Sequence, residues 1–306
     1  MKRQLRVSVR IQIDRFFRLI LPAIGILILG VIVIFGFMTY KITHPEAVPE
    51  PINPSFYLLP SLEVTIPATD GTNIPAWWIP GLKNAPGIIL APGYGMNRSD
   101  ALSLAAELHE NGFNVLVYAQ RGSNVSPKKA STLGLYEADD LLNAIRLLQS
   151  RPESNPLRIG IWGVDLGAYA ALKAAGSFPE VRAIAVDSAF GSIREYMDYR
   201  ILEDFGLDNR LVQFSCYQMF RLVHIFSGFP FNEPLPLKAL SECTILFIKG
   251  ENRPFLGTKT ANIYNRIHPQ KEMTSFKTSR IHMMEGEDLK SYDRQVANFF
   301  NLNLHK

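Results

Sequence analysis

The sequence is poor in cysteine and histidine. Its 306 residues include two cysteines and six histidines, which excludes a disulfide-rich scaffold. The histidines have no spacing typical of metal ligands, so we predict neither a metal site nor a cofactor. We expect Cys216 and Cys243 to be two buried free thiols, with a disulfide between them as the alternative. Charged residues make up 20% and hydrophobic residues 47% of the chain, which is typical of a globular protein and excludes extended disorder.

An excess of basic charge is also missing from most of the chain. The first 18 residues hold six basic side chains and one acid, Asp14. This local excess is larger than the net charge of +4 of the whole chain, so the remainder is slightly acidic. A nucleic-acid partner is therefore not expected.

A long uncharged run follows the basic N-terminus. Leu19 to Met38 contains no charged residue, and its length suits a single helix across a bilayer. Because the basic residues precede it, we predict a single-pass membrane anchor with a cytoplasmic N-terminus and an extracytoplasmic remainder. The alternatives are a cleaved signal peptide, for which no small-residue cleavage motif follows the run, and a buried core helix.

A proline-rich segment separates this run from the rest of the chain. Five prolines lie between His44 and Pro60, which favours an extended spacer that holds the domain off the membrane. The predicted organisation is a basic N-terminus over 1–18, a transmembrane anchor over 19–40, a linker over 41–61 and one domain over 62–306.

The domain alternates strand and helix patterns. Two runs flanking Asp70–Gly71 predict an antiparallel hairpin, and later short apolar runs predict buried parallel strands. The predicted strands are Leu62–Pro67, Asn73–Ile79, Gly87–Ala91, Phe113–Tyr118, Leu157–Trp162, Val181–Val186, Thr244–Lys249 and, more weakly, Lys271–Lys277. The predicted helices are Asp100–Glu110, Tyr136–Gln149, Gly167–Ala175, Thr258–Ile267 and Glu287–Phe300. This order predicts an α/β fold with a mostly parallel, doubly wound sheet.

An aromatic-rich insertion interrupts the alternation at about 192–240. Its helical periodicity and its place between two strands favour a cap over the sheet edge that lines a pocket for a small-molecule ligand; a plain packing insertion is the alternative.

The stretch from Ile159 to Ala168 has the pattern of a strand, a tight G-x-D-x-G turn and a small-residue helix. This is the frame of a nucleophile elbow, in which glycines allow a sharp turn and the central side chain is exposed in a strained conformation. Asp165 stands where a serine is usual.

The chain from about Leu62 to Leu302 resembles the α/β-hydrolases, most of all the membrane-anchored, esterase- and peptidase-like serine hydrolases. The segments that carry the resemblance are 91–98 (APGYGMNR), 121–123 (RGS), 133–140 (LGLYEADD), the G-x-D-x-G turn, 187–188 (DS), 250–252 (GEN) and 281–282 (IH). The resemblance implies a nucleophile at Asp165 and a base at His282. It implies oxyanion donors in the backbone N–H of Leu166 and in one N–H of the Gly93–Tyr94 loop.

The acid that would orient the base is where the sequence departs most from the family. Arg253 stands near the expected position, and an arginine cannot accept a hydrogen bond from imidazole. Glu251 or Asn252 is a substitute if the loop is shifted, and Asp187 is another because some α/β-hydrolases take their acid from that strand.

Three interpretations follow for the chemistry. In the first, Asp165 attacks the carbon of a small ester-like, epoxide or halide substrate and His282 activates the water that releases the product. In the second, the domain is a degenerate hydrolase that serves as a binding or scaffolding domain, because an aspartate is a poor nucleophile for acyl transfer. In the third, Ser188 or Ser123 acts instead, although both suit ordinary turns.

Overall fold

The computed structural model describes residues 2–46, 48–226, 228, 231, 234–267, 270–279 and 284–305, with only the backbone given for residues 2–17, 19 and 241. Eight strands form one sheet in the order β1-β2-β4-β3-β5-β6-β7-β8. The strands are β1 Leu62–Pro67, β2 Asn73–Ile79, β3 Ala85–Ala91, β4 Asn114–Tyr118, β5 Ser154–Val164, β6 Val181–Asp187, β7 Thr244–Gly250 and β8 Lys271–Phe276. Strand β2 pairs antiparallel with β1 and β4, and all other neighbours pair parallel.

Eight α-helices accompany the sheet: α1 Lys2–Thr43, α2 Leu102–Glu110, α3 Leu135–Gln149, α4 Leu166–Ala175, α5 Ile193–Phe205, α6 Arg210–Val223, α7 Pro254–Arg266 and α8 Gly286–Leu304. Two buried clusters lie on opposite faces of the sheet. One contains side chains of α3, α4 and α7 and is extended by α5 and α6. The other contains side chains of α2 and α8. Strand β3 is buried along its whole length, as expected for a parallel strand covered on both faces.

The predicted elements are confirmed, with shifts at their ends. The hairpin of β1 and β2 has the predicted bounds. Strand β5 begins at Ser154, three residues earlier than predicted, and its pairing with β3 contains a bulge. Helix α7 begins at Pro254 instead of Thr258, because proline suits the first turn of a helix, where its missing N–H has no partner to lose. Cys216 and Cys243 are separate buried thiols, as favoured.

The last turns of α1 pack on the insertion between β6 and β7, which contains α5 and α6. Met38 and Ile42 are buried, and the hydroxyl of Thr39 donates to the carbonyl oxygen of Cys216 in α6 at 3.3 Å. The hydroxyl of Tyr94 donates to the carbonyl oxygen of Ile42 at 2.8 Å. The end of α1 is thus part of the domain.

The proline-rich segment is held against the domain. Arg98 forms an ion pair with Glu50 at 2.9 Å, and the side-chain amide of Asn97 donates to the carbonyl oxygen of Val48 at 3.0 Å. Pro54 and Leu59 are buried. The expected spacer that holds the domain off the membrane is therefore corrected to a segment that lies along the domain surface.

Candidate active site

Asp165 is the central residue of the turn between β5 and α4. Its backbone has φ 38° and ψ −96°, a strained conformation that persists only where the surrounding structure imposes it. The close approach of strand and helix imposes it here: a Cβ on Gly167 would lie 2.0 Å from the carbonyl oxygen of Ala91. The predicted elbow is therefore present, and only glycine fits at position 167.

The predicted oxyanion donors converge on the side chain of Asp165. Its Oδ1 accepts hydrogen bonds from the backbone N–H of Tyr94, at 2.8 Å, and from that of Leu166. Gly93 is not a donor, because its N–H donates to Sδ of Met96 at 3.2 Å. Gly93 leaves room for the carboxylate of Asp165, because a Cβ at position 93 would lie 2.7 Å from Oδ1 of Asp165.

This arrangement restricts the chemistry of the site. The two N–H groups that would bind the oxygen of a tetrahedral intermediate already bind Oδ1 of Asp165. A substrate carbonyl oxygen cannot occupy the same place. The other carboxylate oxygen, Oδ2, is the atom of Asp165 that is not held in the oxyanion hole.

Asp187 lies beside the elbow, but its carboxylate belongs to a buried network. Its backbone carbonyl accepts the N–H of Asp165 at 2.9 Å. Its Oδ1 accepts the hydroxyl of Ser188 at 2.9 Å, and its Oδ2 accepts the hydroxyl of Tyr292 at 3.0 Å. Burial raises the pKa of Asp187 to about 7, against the opposing effect of these hydrogen bonds and of the charge of Arg253. Each oxygen of the Asp187 carboxylate therefore already accepts a hydrogen bond from a buried hydroxyl.

The remaining acid candidate, Glu251, lies on the loop after β7. Glu251 is exposed, and its backbone N–H pairs with the carbonyl of Phe276 at 2.9 Å. Arg253 is buried at the start of α7, with its guanidinium carbon 5.8 Å from the ring centroid of Tyr199. The Oδ1 of Asn252 accepts the N–H of Ser279 at 3.3 Å. His282 lies outside the described residues.

The two serines considered as alternative nucleophiles are both buried. The hydroxyl of Ser188 lies 2.8 Å from that of Ser279 and also bonds Asp187, so it serves the buried network. The Ser123 hydroxyl has no hydrogen-bond partner within the described part of the chain, and its backbone N–H closes a turn onto Gln120. Neither residue is paired with a base among the residues that the structure describes.

Sequence reasoning missed a tyrosine group on α5, in which the ring centroid of Tyr196 lies 6.2 Å from that of Tyr94. Tyr196 and Tyr199 on α5 are buried, and among the described residues their hydroxyls have no hydrogen-bond partner. Desolvation raises the pKa of Tyr196 well above its usual value and that of Tyr199 to about 12, and the charge of Asp165 adds to both shifts. The two side chains are three residues apart on one helix face, a signal visible in the sequence, but the sequence does not show what that face covers.

A groove lies next to this tyrosine group. It has a volume of about 440 Å³ and runs between the end of α1, the loop of Tyr94 and the helix α5. Arg200 lines it, with its guanidinium carbon 4.2 Å from the ring centroid of Tyr94 and an ion pair to Asp204. The groove is a candidate access route to the site because Tyr94 contributes to both.

Comparisons with known proteins agree with this geometry. A family described as "alpha/beta hydrolase fold" matches residues 86–214. The uncharacterized protein YqkD of Bacillus subtilis is 25% identical over 256 residues, which is 81% of this chain and 82% of that protein. The thiohydrolase apmlB of Arthrinium phaeospermum is 28% identical over 160 residues, covering 46% of this chain and 50% of that protein.

A solved structure extends the comparison over most of the chain. The esterase Pf2001 of Pyrococcus furiosus superposes with a TM-score of 0.65 and 20% sequence identity, covering 86% of this chain and 99% of the esterase. At this identity the likeness shows the fold. The parallel sheet, the strained elbow between β5 and α4 and the family match over residues 86–214 together show that this chain has the α/β-hydrolase fold.

Proposed function

We propose that the domain is a membrane-anchored hydrolase that opens an electrophilic, three-membered cyclic ether, an epoxide, through Asp165. The observation that carries the proposal is that Oδ1 of Asp165 sits between the N–H groups of Tyr94 and Leu166. A carboxylate held in this way has one oxygen fixed and one oxygen for attack on carbon.

In the first step, Oδ2 of Asp165 attacks a ring carbon of the epoxide and the bond from that carbon to the ring oxygen breaks. The ring oxygen leaves as an alkoxide and needs a proton. Tyr196 and Tyr199 are the candidates for this task, because a phenol is protonated at neutral pH and no described group occupies either hydroxyl. This requirement favours an epoxide over a haloalkane, whose leaving halide needs no proton.

In the second step, water hydrolyses the ester formed on Asp165. By its place in the family pattern, His282 takes a proton from the water, and the resulting hydroxide attacks Cγ of Asp165. Negative charge develops on Oδ1, where the N–H groups of Tyr94 and Leu166 stabilise it. The bond from Cγ to the substrate oxygen then breaks, and this oxygen takes the proton that remains on the added water oxygen, so that a vicinal diol leaves and Asp165 is again a carboxylate. The phenolate recovers the proton that His282 took from the water.

Acyl transfer fits this site less well. Attack by an aspartate on an ester gives an anhydride, and Oδ1 fills the place that the ester oxygen would need. We therefore expect this chain to differ in reaction from relatives named esterase or thiohydrolase.

Removing the hydroxyl of Tyr196 tests the proposed proton donor. We expect Tyr196→Phe to lower kcat on an aryl epoxide by roughly 10²-fold, which is typical of a lost general acid. The fold should remain intact because the hydroxyl has no described partner. The measurement is diol formation by the full chain in detergent, with Tyr264→Phe in α7 as the matched control.

A substrate series separates this role from general damage. The expected loss is large for epoxides and small for haloalkanes, whose leaving group needs no proton. Equal losses on both substrates would show that Tyr196 supports packing and is not the donor.

A binding domain without turnover is the second candidate. It is favoured by the buried Arg253 at the family's acid position and by the engagement of Asp187 with Ser188 and Tyr292. An arginine cannot orient a base, and each oxygen of Asp187 already accepts a hydrogen bond. Saturable binding of an epoxide that is recovered unchanged would establish this candidate in place of the enzyme.

The proposed anchor is α1, with the N-terminus in the cytoplasm. Its part from Ile20 to Thr43 is long and apolar enough to cross a membrane. The most apolar 18-residue stretch of this part is not buried in the protein. An unburied apolar helix is unlike a core helix. Burial of Met38 and Ile42 in the domain argues against removal of α1 as a signal peptide, because its loss would open the core at these positions.

A further inference from the structure

Helix α6 carries an exposed apolar surface. Its outward residues are Leu211, Phe214, Leu222 and Val223, and the chain continues into Ile225 and Phe226; all six are exposed, Phe226 to 96%. We call these six residues the α6 stripe. Large apolar side chains exposed together on one helix of a globular domain mark a candidate binding surface.

The position of α6 relative to α1 indicates what covers the stripe. The inner face of α6, with Cys216, Tyr217 and Phe220, is buried. On this side Thr39 of α1 bonds the carbonyl of Cys216. The helix is therefore fixed to α1 near Met38 and Thr39, at the C-terminal end of the uncharged run.

The length of the uncharged run determines how deep in the bilayer α6 would lie. Twenty residues of helix from Leu19 to Met38 span about 30 Å, the thickness of the hydrocarbon core of a bilayer. If α1 spans the membrane, its residues near Met38 lie at the boundary between hydrocarbon and headgroups. Helix α6, which packs there, then lies at the same level.

The basic side chains on α6 and at the end of α1 suit the boundary between hydrocarbon and headgroups. Arg210 and Arg221 are exposed at the two ends of the helix, and Lys41 is exposed at the end of α1. Basic side chains beside an apolar face are typical of helices that lie in a membrane interface. The apolar side chains would meet acyl chains while the basic ones meet phosphate groups.

We infer that the α6 stripe lies in the lipid interface of the leaflet in which α1 ends. This inference rests on the proposed anchoring by α1. The partner is the bilayer itself, and the contact is a second attachment of the domain besides α1. It places the groove between α1 and α5 next to the lipid surface, so the substrate class is an apolar or amphiphilic epoxide that partitions into the membrane.

Quenching of a fluorescent label by spin-labelled lipids tests the inference in the full chain. The protein is reconstituted in phosphatidylcholine and phosphatidylglycerol vesicles, with an environment-sensitive maleimide on a single introduced cysteine. Variants are Phe226→Cys and Phe214→Cys in the stripe, Leu302→Cys on the exposed side of α8, and Ile32→Cys in α1. The native thiols react slowly, because burial raises the pKa of Cys216 to about 11 and that of Cys243 to about 12.

Spin-labelled lipids are expected to quench the labels at 226 and 214 and to place them within about 5–10 Å of the headgroup–acyl boundary. The label at 302 should stay unquenched by lipid and accessible to aqueous iodide. Quenching at 32 but not at 226 and 214 overturns the inference and leaves the anchor in place. No quenching at 32 overturns the anchor and the inference together. Shielding of 226 and 214 from both quenchers shows that a second protein copy covers the stripe, which also overturns it.

Discussion

Replacing Asp165 by asparagine is expected to lower kcat on an epoxide by on the order of 10⁴- to 10⁶-fold, the range seen when a nucleophile is removed. An amide oxygen is a much weaker nucleophile than a carboxylate oxygen. The amide is nearly the same size, and its oxygen still accepts the N–H groups of Tyr94 and Leu166, so the elbow keeps its geometry. The measurement is the single-turnover rate of diol formation by the full chain.

The matched control is Asp288→Asn, which removes an exposed carboxylate in the first turn of α8. Its rate should equal that of the unmodified chain. If Asp165→Asn also keeps the full rate, the reaction takes place elsewhere and the assignment of the nucleophile is wrong.

Replacing Gly167 by alanine is expected to destabilise the domain by about 3 kcal/mol. The added Cβ would lie 2.0 Å from the carbonyl oxygen of Ala91 and 2.9 Å from that of Pro92. Both are backbone atoms, which cannot rotate away as a side chain can. Strand β3 or helix α4 must move, and the loop that carries the N–H of Tyr94 moves with them.

Gly257→Ala in α7 is the control for this substitution. Its Cβ would have ordinary contacts, the nearest at 3.7 Å, and alanine favours a helix over glycine by roughly 0.8–1 kcal/mol. The urea midpoint of the full chain in detergent should fall for Gly167→Ala and stay level or rise for Gly257→Ala. Equal midpoints for the two variants would mean that the strand and helix at the elbow are not closely packed.

The fold could be predicted from the sequence because its signals are local. Short apolar runs such as residues 87–91 become buried strands wherever helices cover both faces of a sheet. The glycines around Asp165 predicted the elbow, and the resemblance to the α/β-hydrolases implied that the N–H of Leu166 and one N–H of the Gly93–Tyr94 loop would meet there. Element ends were less predictable, as Pro254 illustrates, because they depend on contacts in the folded chain.

The surroundings of Asp165 could not be predicted in the same way. The sequence does not reveal that the side chain of Asp165 turns into its own oxyanion hole, because this depends on the space left by Gly93. Asp187 was recognised as a candidate, but its bond to Tyr292 joins two parts of the chain that are 105 residues apart. The tyrosines of α5 are visible as a pattern, whereas the contact of Tyr196 with Tyr94 is set by the packing of the insertion.

The packing of α1 on α6 was missed for the same reason. A hydropathy pattern identifies an apolar run but gives no information on what its last turn contacts. The buried side chain of Ile42 and its carbonyl bond to Tyr94 connect the candidate anchor directly to the loop that holds Asp165. The candidate anchor and the candidate active site are therefore structurally coupled.

The fate of the water oxygen tests the central claim most directly. Excess full-length protein is allowed a single turnover of an epoxide in water enriched in the heavy oxygen isotope, and the peptide that contains Asp165 is then analysed by mass spectrometry. Hydrolysis of an ester on Asp165 predicts the heavy oxygen in the carboxyl group of Asp165 and an unlabelled diol. Heavy oxygen in the diol, with none in Asp165, would mean that water attacks the substrate directly and would contradict the proposed role of Asp165.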